Sequence, residues 1–158
     1  MLATVEVMLP RILAALCLTM TTLGVATMSP AEAKTPEQGY QSSAFAATNQ
    51  ARVAHDRLKV RVNGCVQRFA VRQAKRMAAQ QEMFHQDLGP ILTTCGLSKV
   101  GENVAYGYSS GSWVVKKGWM KSAGHRHNIL DNDFALLGVG ARQGADGTWY
   151  AAQVFGRR

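Results

Sequence analysis

The sequence is short of acidic residues, holding 10 against 18 lysines and arginines over 158 positions, for a formal net charge of +8. Such a balance draws a chain towards anionic surfaces. Cysteine is scarce too, with three in all and no Cys-x-x-Cys pair, which excludes a thioredoxin-type redox motif and a cysteine-rich zinc module. There is no nucleophile elbow, no phosphate-binding glycine loop and no His-Glu-x-x-His helix, so the usual signals of a serine hydrolase, a nucleotide enzyme and a helix-borne zinc protease are absent. No internal repeat and no nucleic-acid-binding motif accompany the positive charge.

A long hydrophobic run occurs once, from Ile12 to Met28. Arg11 precedes it and Ser29-Pro30-Ala31-Glu32-Ala33 follows. That order predicts a secretory signal over residues 1–33, cleaved after Ala33. Read as a membrane anchor, the run is studded with threonine, marginal for a span of about 20 residues, and stopped by Pro30. Met8 is a second start position with a more usual charge pattern than Met1, because it leaves Glu6 out. Cleavage leaves 125 residues, the size of a single domain. It removes Arg11, Glu6 and Glu32, so that 17 basic residues face 8 acidic ones and the balance becomes +9. Cys17 leaves with the signal. Cys65 and Cys95 remain as an even pair in an oxidising compartment, and a disulfide between them is expected. Closing a loop of about 30 residues, it would contribute about 3.5 kcal/mol in the chain-entropy model.

Residues 34–43 are polar, interrupted by Pro36 and Gly39, and read as a flexible lead-in. A single domain then occupies 44–158. A first helix is expected over Ala44–Leu58, with Ser43 as cap and Phe45, Val53 and Leu58 as apolar contacts. A second comes after Asn63, with Val66, Phe69, Ala70, Ala74, Met77 and Ala78 on one face and Arg68, Arg72, Lys75, Arg76 and Gln80 on the other. That basic face reads as a solvated surface or as a polyanion site. An irregular connection runs from Phe84 to Lys99, and a strand is expected over Val100–Tyr108. A third helix is expected from Ser112, carrying Val115 and Trp119. The C-terminus reads as a hairpin, with alternating Leu137, Val139 and Ala141, a turn at Asp146-Gly147 and a strand through Trp149–Phe155. Helices early and strands late give an α+β fold.

Site-forming residues concentrate between Gly101-Glu102-Asn103 and Gly124-His125-Arg126-His127-Asn128. Histidines two apart diverge on a helix but share one face of a strand, and one of His125 and His127 is expected to enter a cleft. Imidazole nitrogen and carboxylate oxygen are the donors zinc accepts, and a carboxylate beside them can act as general base. Taken singly, His85 reads as a helix-end histidine and Glu102 as an acceptor that fixes a turn.

The ordered set Asn49-x-x-Arg52, Ala74-x-x-Met77-Ala78, Phe84-His85, Gly101-Glu102-Asn103-Val104-Ala105, Trp119, Gly124-His125-Arg126-x-Asn128-Ile129-Leu130, Gly138-Val139-Gly140 and Gln153-Val154-Phe155-Gly156 resembles the CAP superfamily. That group comprises cysteine-rich secretory proteins, antigen 5 and pathogenesis-related 1 proteins, with an SCP-like extracellular domain. The resemblance covers residues 44–156 and is to the short bacterial single-domain type. It implies a three-layer α-β-α sandwich around a mainly antiparallel sheet, with His85, Glu102 and His125 in a surface cleft. It also implies His85 and His125 as ligands of an open site for zinc or another divalent metal. Many eukaryotic members carry a second glutamate three residues after the tryptophan; here that position is Ser122, which removes a ligand. His127 has no counterpart and reads as surface.

The function these features imply is a secreted, monomeric binding module. Its cleft and basic surface would meet a small lipid, a divalent metal or an anionic envelope polymer outside the cytoplasm. The alternative is a metal-dependent hydrolase, with His85 and His125 holding the ion and Glu102 as the catalytic general base.

Overall fold

Thr35 caps a helix where the composition suggests a flexible stretch. In the computed structural model, which describes residues 33–158, the first helix (α1) spans Pro36–Val53. The flexible lead-in expected over 34–43 is therefore corrected: most of it is helix. The Thr35 hydroxyl accepts from the Gln38 N–H at 3.2 Å, and the Gln38 side chain accepts from the Thr35 N–H at 2.8 Å. This reciprocal cap satisfies two orphan donors. Pro36 stands in the first turn, where its missing N–H costs nothing, and Glu37 meets the positive end of the helix. Tyr40 and Ala44 are buried, and the Tyr40 ring lies 4.9 Å from that of Trp149. The signal expected over 1–33 lies outside the described residues apart from Ala33. Among the described residues, no helix is long and apolar enough to cross a membrane.

The helix ends at Val53 rather than Leu58, and Leu58 is exposed, not a core contact. Two polar residues of α1 anchor distant stretches of the chain. The Asn49 amide pairs with the N–H and carbonyl of Val60. Arg52, 1% exposed, donates to the carbonyls of Leu58, Ile129, Asp131 and Phe134. A buried guanidinium is tolerable because four of its five N–H donors are used and each of its three nitrogens has a partner.

Helix α2 spans Gly64–Gln80, and the Asn63 side chain accepts from the N–H groups of Cys65 and Val66 as expected. Residues Gly89–Cys95 form a short helix (α3) inside the connection read as irregular. Cys95 there is bonded to Cys65 of α2, with Cα atoms 5.7 Å apart.

Four strands, β1 (Arg61–Val62), β2 (Lys99–Tyr106), β3 (Leu136–Gln143) and β4 (Trp149–Arg157), make one sheet in the order β1-β3-β4-β2. The pairs β2–β4 and β3–β4 are antiparallel, and the short β1, which has no sequence signal, is parallel to β3. One sheet face, with Val104, Ala152 and Val154, packs on Val66, Phe69, Ala70, Met77 and Ala78 of α2. The other, with Ala105, Leu137, Val139, Ala151 and Phe155, packs on α1 and the helical segment after β2. This is an α+β fold with helices on both faces of a mainly antiparallel sheet. Close approach of α2 requires glycine at Gly140: a Cβ there would lie 2.0 Å from the Ala70 carbonyl oxygen.

The helix expected from Ser112 is capped by Ser110 instead and changes pitch twice. It comprises an α-turn (α4, Gly111–Trp113), a π-helical stretch (Val114–Gly118) and a 3-10 turn (Trp119–Lys121). Val114, Val115 and Trp119 are all buried. Helix α5 comes next, over Ala123–Leu130.

Candidate functional site

Strand β2 lies at the sheet edge, and consecutive residues of a strand point to opposite faces. The dipeptide Glu102-Asn103 uses both. Glu102 pairs in register with Val154 and so faces the α2 layer, whereas Asn103 pairs with Gln153 and faces the α1 and α5 layer. Each holds one histidine-bearing segment.

On the α2 side, Glu102 has its side chain 1% exposed, and its Oε1 lies 2.8 Å from His85 Nδ1. Oε1 also accepts from the Gln86 N–H at 3.2 Å, and Oε2 accepts from Gln86 Nε2. With donors on both oxygens the carboxyl is an acceptor, so Nδ1 of His85 carries the hydrogen. The lone pair of the ring is thereby left on Nε2, on a side chain 59% exposed. A carboxylate fixing the tautomer and aim of a histidine is an orienting arrangement. The loop bearing His85 is fixed at a second point, where the Phe84 carbonyl accepts from Gln73 Nε2.

On the opposite face a buried polar chain holds α5. Asn103 Nδ2 donates to the His125 carbonyl and to Gln153 Oε1, both at 3.1 Å, while Asn103 Oδ1 accepts from Asn128 Nδ2 at 2.9 Å. Gln153 Nε2 donates to Thr48 Oγ1, which in turn donates to the Ala44 carbonyl. Thr48, Asn103 and Gln153 are each fully buried. Two outward carbonyls of β2 are also taken: Glu102 O by Asn128 Nδ2 and Val104 O by the Trp119 indole, both at 3.1 Å. Capped by side chains, this edge resists pairing with another strand.

Along that edge runs a groove of about 540 Å³, walled by Met83, Tyr106, Tyr108, Trp119, Ser122 and His125 with the β2 backbone. Tyr106 and Met83 are 57% and 44% exposed, unusual for such side chains. Gly118 admits the Tyr108 ring, since a Cβ there would lie 2.8 Å from Cζ. Among the described residues, no lysine, arginine, aspartate or glutamate lines the groove. Burial, and then the Coulombic influence of the nearby His85, hold the pKa of His125 below the ordinary histidine value, so its ring is neutral at pH 7.

The sequence-derived residues thus fall into two groups. His125 and Ser122 line the groove; His85 stands near enough for a Coulombic influence on His125 but does not line it; Glu102 is buried behind His85. His127 is exposed on the far side of α5, 4.0 Å from Asp131. Gln86, Thr48, Tyr106 and Tyr108 carry no motif that marks them in the sequence, although Gln86 adjoins His85. Zinc requires about three or four protein ligands. Among the described residues no group of three or more His, Cys, Asp or Glu side chains is placed to hold a metal. With Glu102 occupied and Ser122 in place of an acid, His85 Nε2 and His125 do not fit a closed zinc centre.

Comparison with known proteins bears on the fold and the family. Two uncharacterized Bacillus subtilis proteins share short segments with the chain. The membrane protein YlbC is 48% identical over 42 residues, and YkwD is 52% identical over 40. Those segments are 27% and 25% of this chain but only 12% and 15% of those proteins. The crystal structure of an extracellular SCP-domain protein from Bacillus anthracis superposes with TM-score 0.67 at 28% identity, over 81% of this chain and 45% of that one. An outer surface protein of Borrelia burgdorferi shares the fold at TM-score 0.64 and 17% identity, over 72% of this chain and 89% of its own. The profile of the cysteine-rich secretory protein family matches residues 45–155, and the chain belongs to that family, the CAP proteins.

Proposed function

We propose that this protein is a secreted binding module whose β2-edge groove takes a small uncharged amphipath, a lipid with a hydroxyl-bearing head. Two features support export: the apolar run before Ala33 and the Cys65–Cys95 disulfide. The Bacillus anthracis relative is itself described as extracellular.

The observation that carries the reading is the division of labour around β2. Glu102 is spent on His85 and Gln86, while the groove is lined by Met83, Tyr106, Tyr108 and Trp119 and, among the described residues, by no charged side chain. Apolar walls with a few polar groups are the usual form of a small-molecule site. The acyl part would lie on the aromatics, and a head hydroxyl would donate to the neutral His125 ring. A hydrolase would need Glu102 to face a bound water; buried, with both oxygens accepting, it offers no such face.

The test is a titration of the oxidised protein with a pyrene-labelled monoacylglycerol. Saturable binding is expected, weakened about tenfold by Tyr106→Ser and by His125→Ala, the equivalent of one lost hydrogen bond or ring contact. His127→Ala should leave it unchanged. Absence of saturable binding defeats the reading, and ester cleavage that vanishes in Glu102→Gln would replace it with the hydrolase.

A further inference from the structure

From the outer face of α2 we infer a second site: a docking surface for a linear phosphodiester polymer of the cell envelope, built on Arg68, Arg72 and Arg76. These residues recur every fourth position, so they form one row on the helix with steps of about 6 Å. All three are exposed, and among the described residues none of them, nor the neighbouring Lys75, is in an ion pair. A solvated helix face leaves such side chains free to sweep, whereas two of these are held. The Arg72 guanidinium carbon lies 4.4 Å from the centroid of the Phe69 ring, and that of Arg76 lies 5.2 Å from the centroid of Phe84. Stacking on a ring fixes the plane of a guanidinium while leaving its donors outward, which lowers the entropy lost when it grips an anion.

Beside the row is a cavity of about 410 Å³, walled by Phe69, Arg72, Arg76, Gln86, Asp87, Pro90 and Thr94. One carboxylate, Asp87, is in that wall, and its Oδ1 accepts from the Gly89 N–H at 2.9 Å. Phosphate suits the row because the guanidinium fork matches two of its oxygens. Phosphates joined through a short polyol repeat at a spacing of the same order as a helix turn. Nucleic acid suits it less, since the Phe69 and Phe84 faces on which a base would stack are covered by the arginines. The surface is separate from the β2 groove, so binding here does not depend on a ligand there; it shares only the assumption of export.

The experiment measures retention of the purified full-length secreted protein on immobilised poly(glycerol phosphate), with single-stranded DNA and anionic vesicles as parallel arms. Tightest binding to the polyol phosphate is expected. Arg72→Gln with Arg76→Gln should weaken it at least about tenfold and lower the dependence of log affinity on log salt by about 2. Lys116→Gln with Lys117→Gln removes the same charge elsewhere and should change it less than about twofold, while Asp87→Asn, which keeps an acceptor for Gly89, should tighten it. Equal losses in the two double variants, or tighter binding to DNA or vesicles, would overturn the inference.

Discussion

Asn103→Ala is the sharpest perturbation available, because one side chain joins three elements. Asn103 is fully buried and makes three hydrogen bonds, to the His125 carbonyl, to Gln153 Oε1 and from Asn128 Nδ2. Each is worth about 1 kcal/mol net, and stranding their buried partners adds about 1 kcal/mol or more. The expected loss is about 3–5 kcal/mol, a large part of the 5–15 kcal/mol typical of a domain. For a domain of this size that lowers Tm by about 10–20 °C. Urea unfolding followed by far-UV circular dichroism measures it, with His127→Ala as an exposed control expected within about 0.5 kcal/mol of wild type. Gln153→Ala should be strongly non-additive with Asn103→Ala, since both cut the same chain. A loss below about 1 kcal/mol, or simple additivity, would refute the view that this network holds α5 to β2.

Replacing Cys65 and Cys95 by serine should lower stability by about 3–4 kcal/mol, given the separation of 30 residues they close, as read by urea unfolding with and without reductant. Gly140→Ala should cost at least about 3 kcal/mol, because the added methyl meets backbone, the Ala70 carbonyl oxygen, rather than a side chain that can move. The folded pKa of His125 lies below its unfolded value near 6.5, first through burial and then through the Coulombic influence of His85. The unfolded chain therefore takes up the proton first on acidification. Stability from this group is complete above about pH 6.5 and falls as pH drops through that value towards the lowered folded one, after which it levels. A pH series of unfolding midpoints should show that slope, and His125→Gln should flatten it.

What was legible in the sequence was local or ordered. The apolar stripe of α2 and its Asn63 cap and the alternation of β3 and β4 depend on residue type and spacing alone, and the expectation for Cys65 and Cys95 depends on their being the even pair left once the signal is removed. The family resemblance rests on the order of short motifs. What was illegible depends on position in the fold. Pro36 and Gly39 look like linker residues until Thr35 and Gln38 are seen to cap a helix around them. Residues 61–62 become a strand only because β3 lies beside them. The pitch changes over 111–121 carry no signal in the sequence. Glu102 and Asn103 stand out in the sequence, but their division between two sheet faces, one for each histidine segment, appears only once β2 is placed at the edge.

Heteronuclear NMR of imidazole- and indole-labelled protein, with and without the pyrene-labelled monoacylglycerol, tests the central claim most directly, since one spectrum reports the His85 tautomer, the His125 charge and the Trp119 environment. The expected result is His85 with its hydrogen on Nδ1 and neutral His125 at pH 7, and added probe shifting His125 and Trp119 while leaving the His85 tautomer intact. A His85 ring with its hydrogen on Nε2 and Nδ1 bare, or a probe that shifts neither His125 nor Trp119, would contradict it.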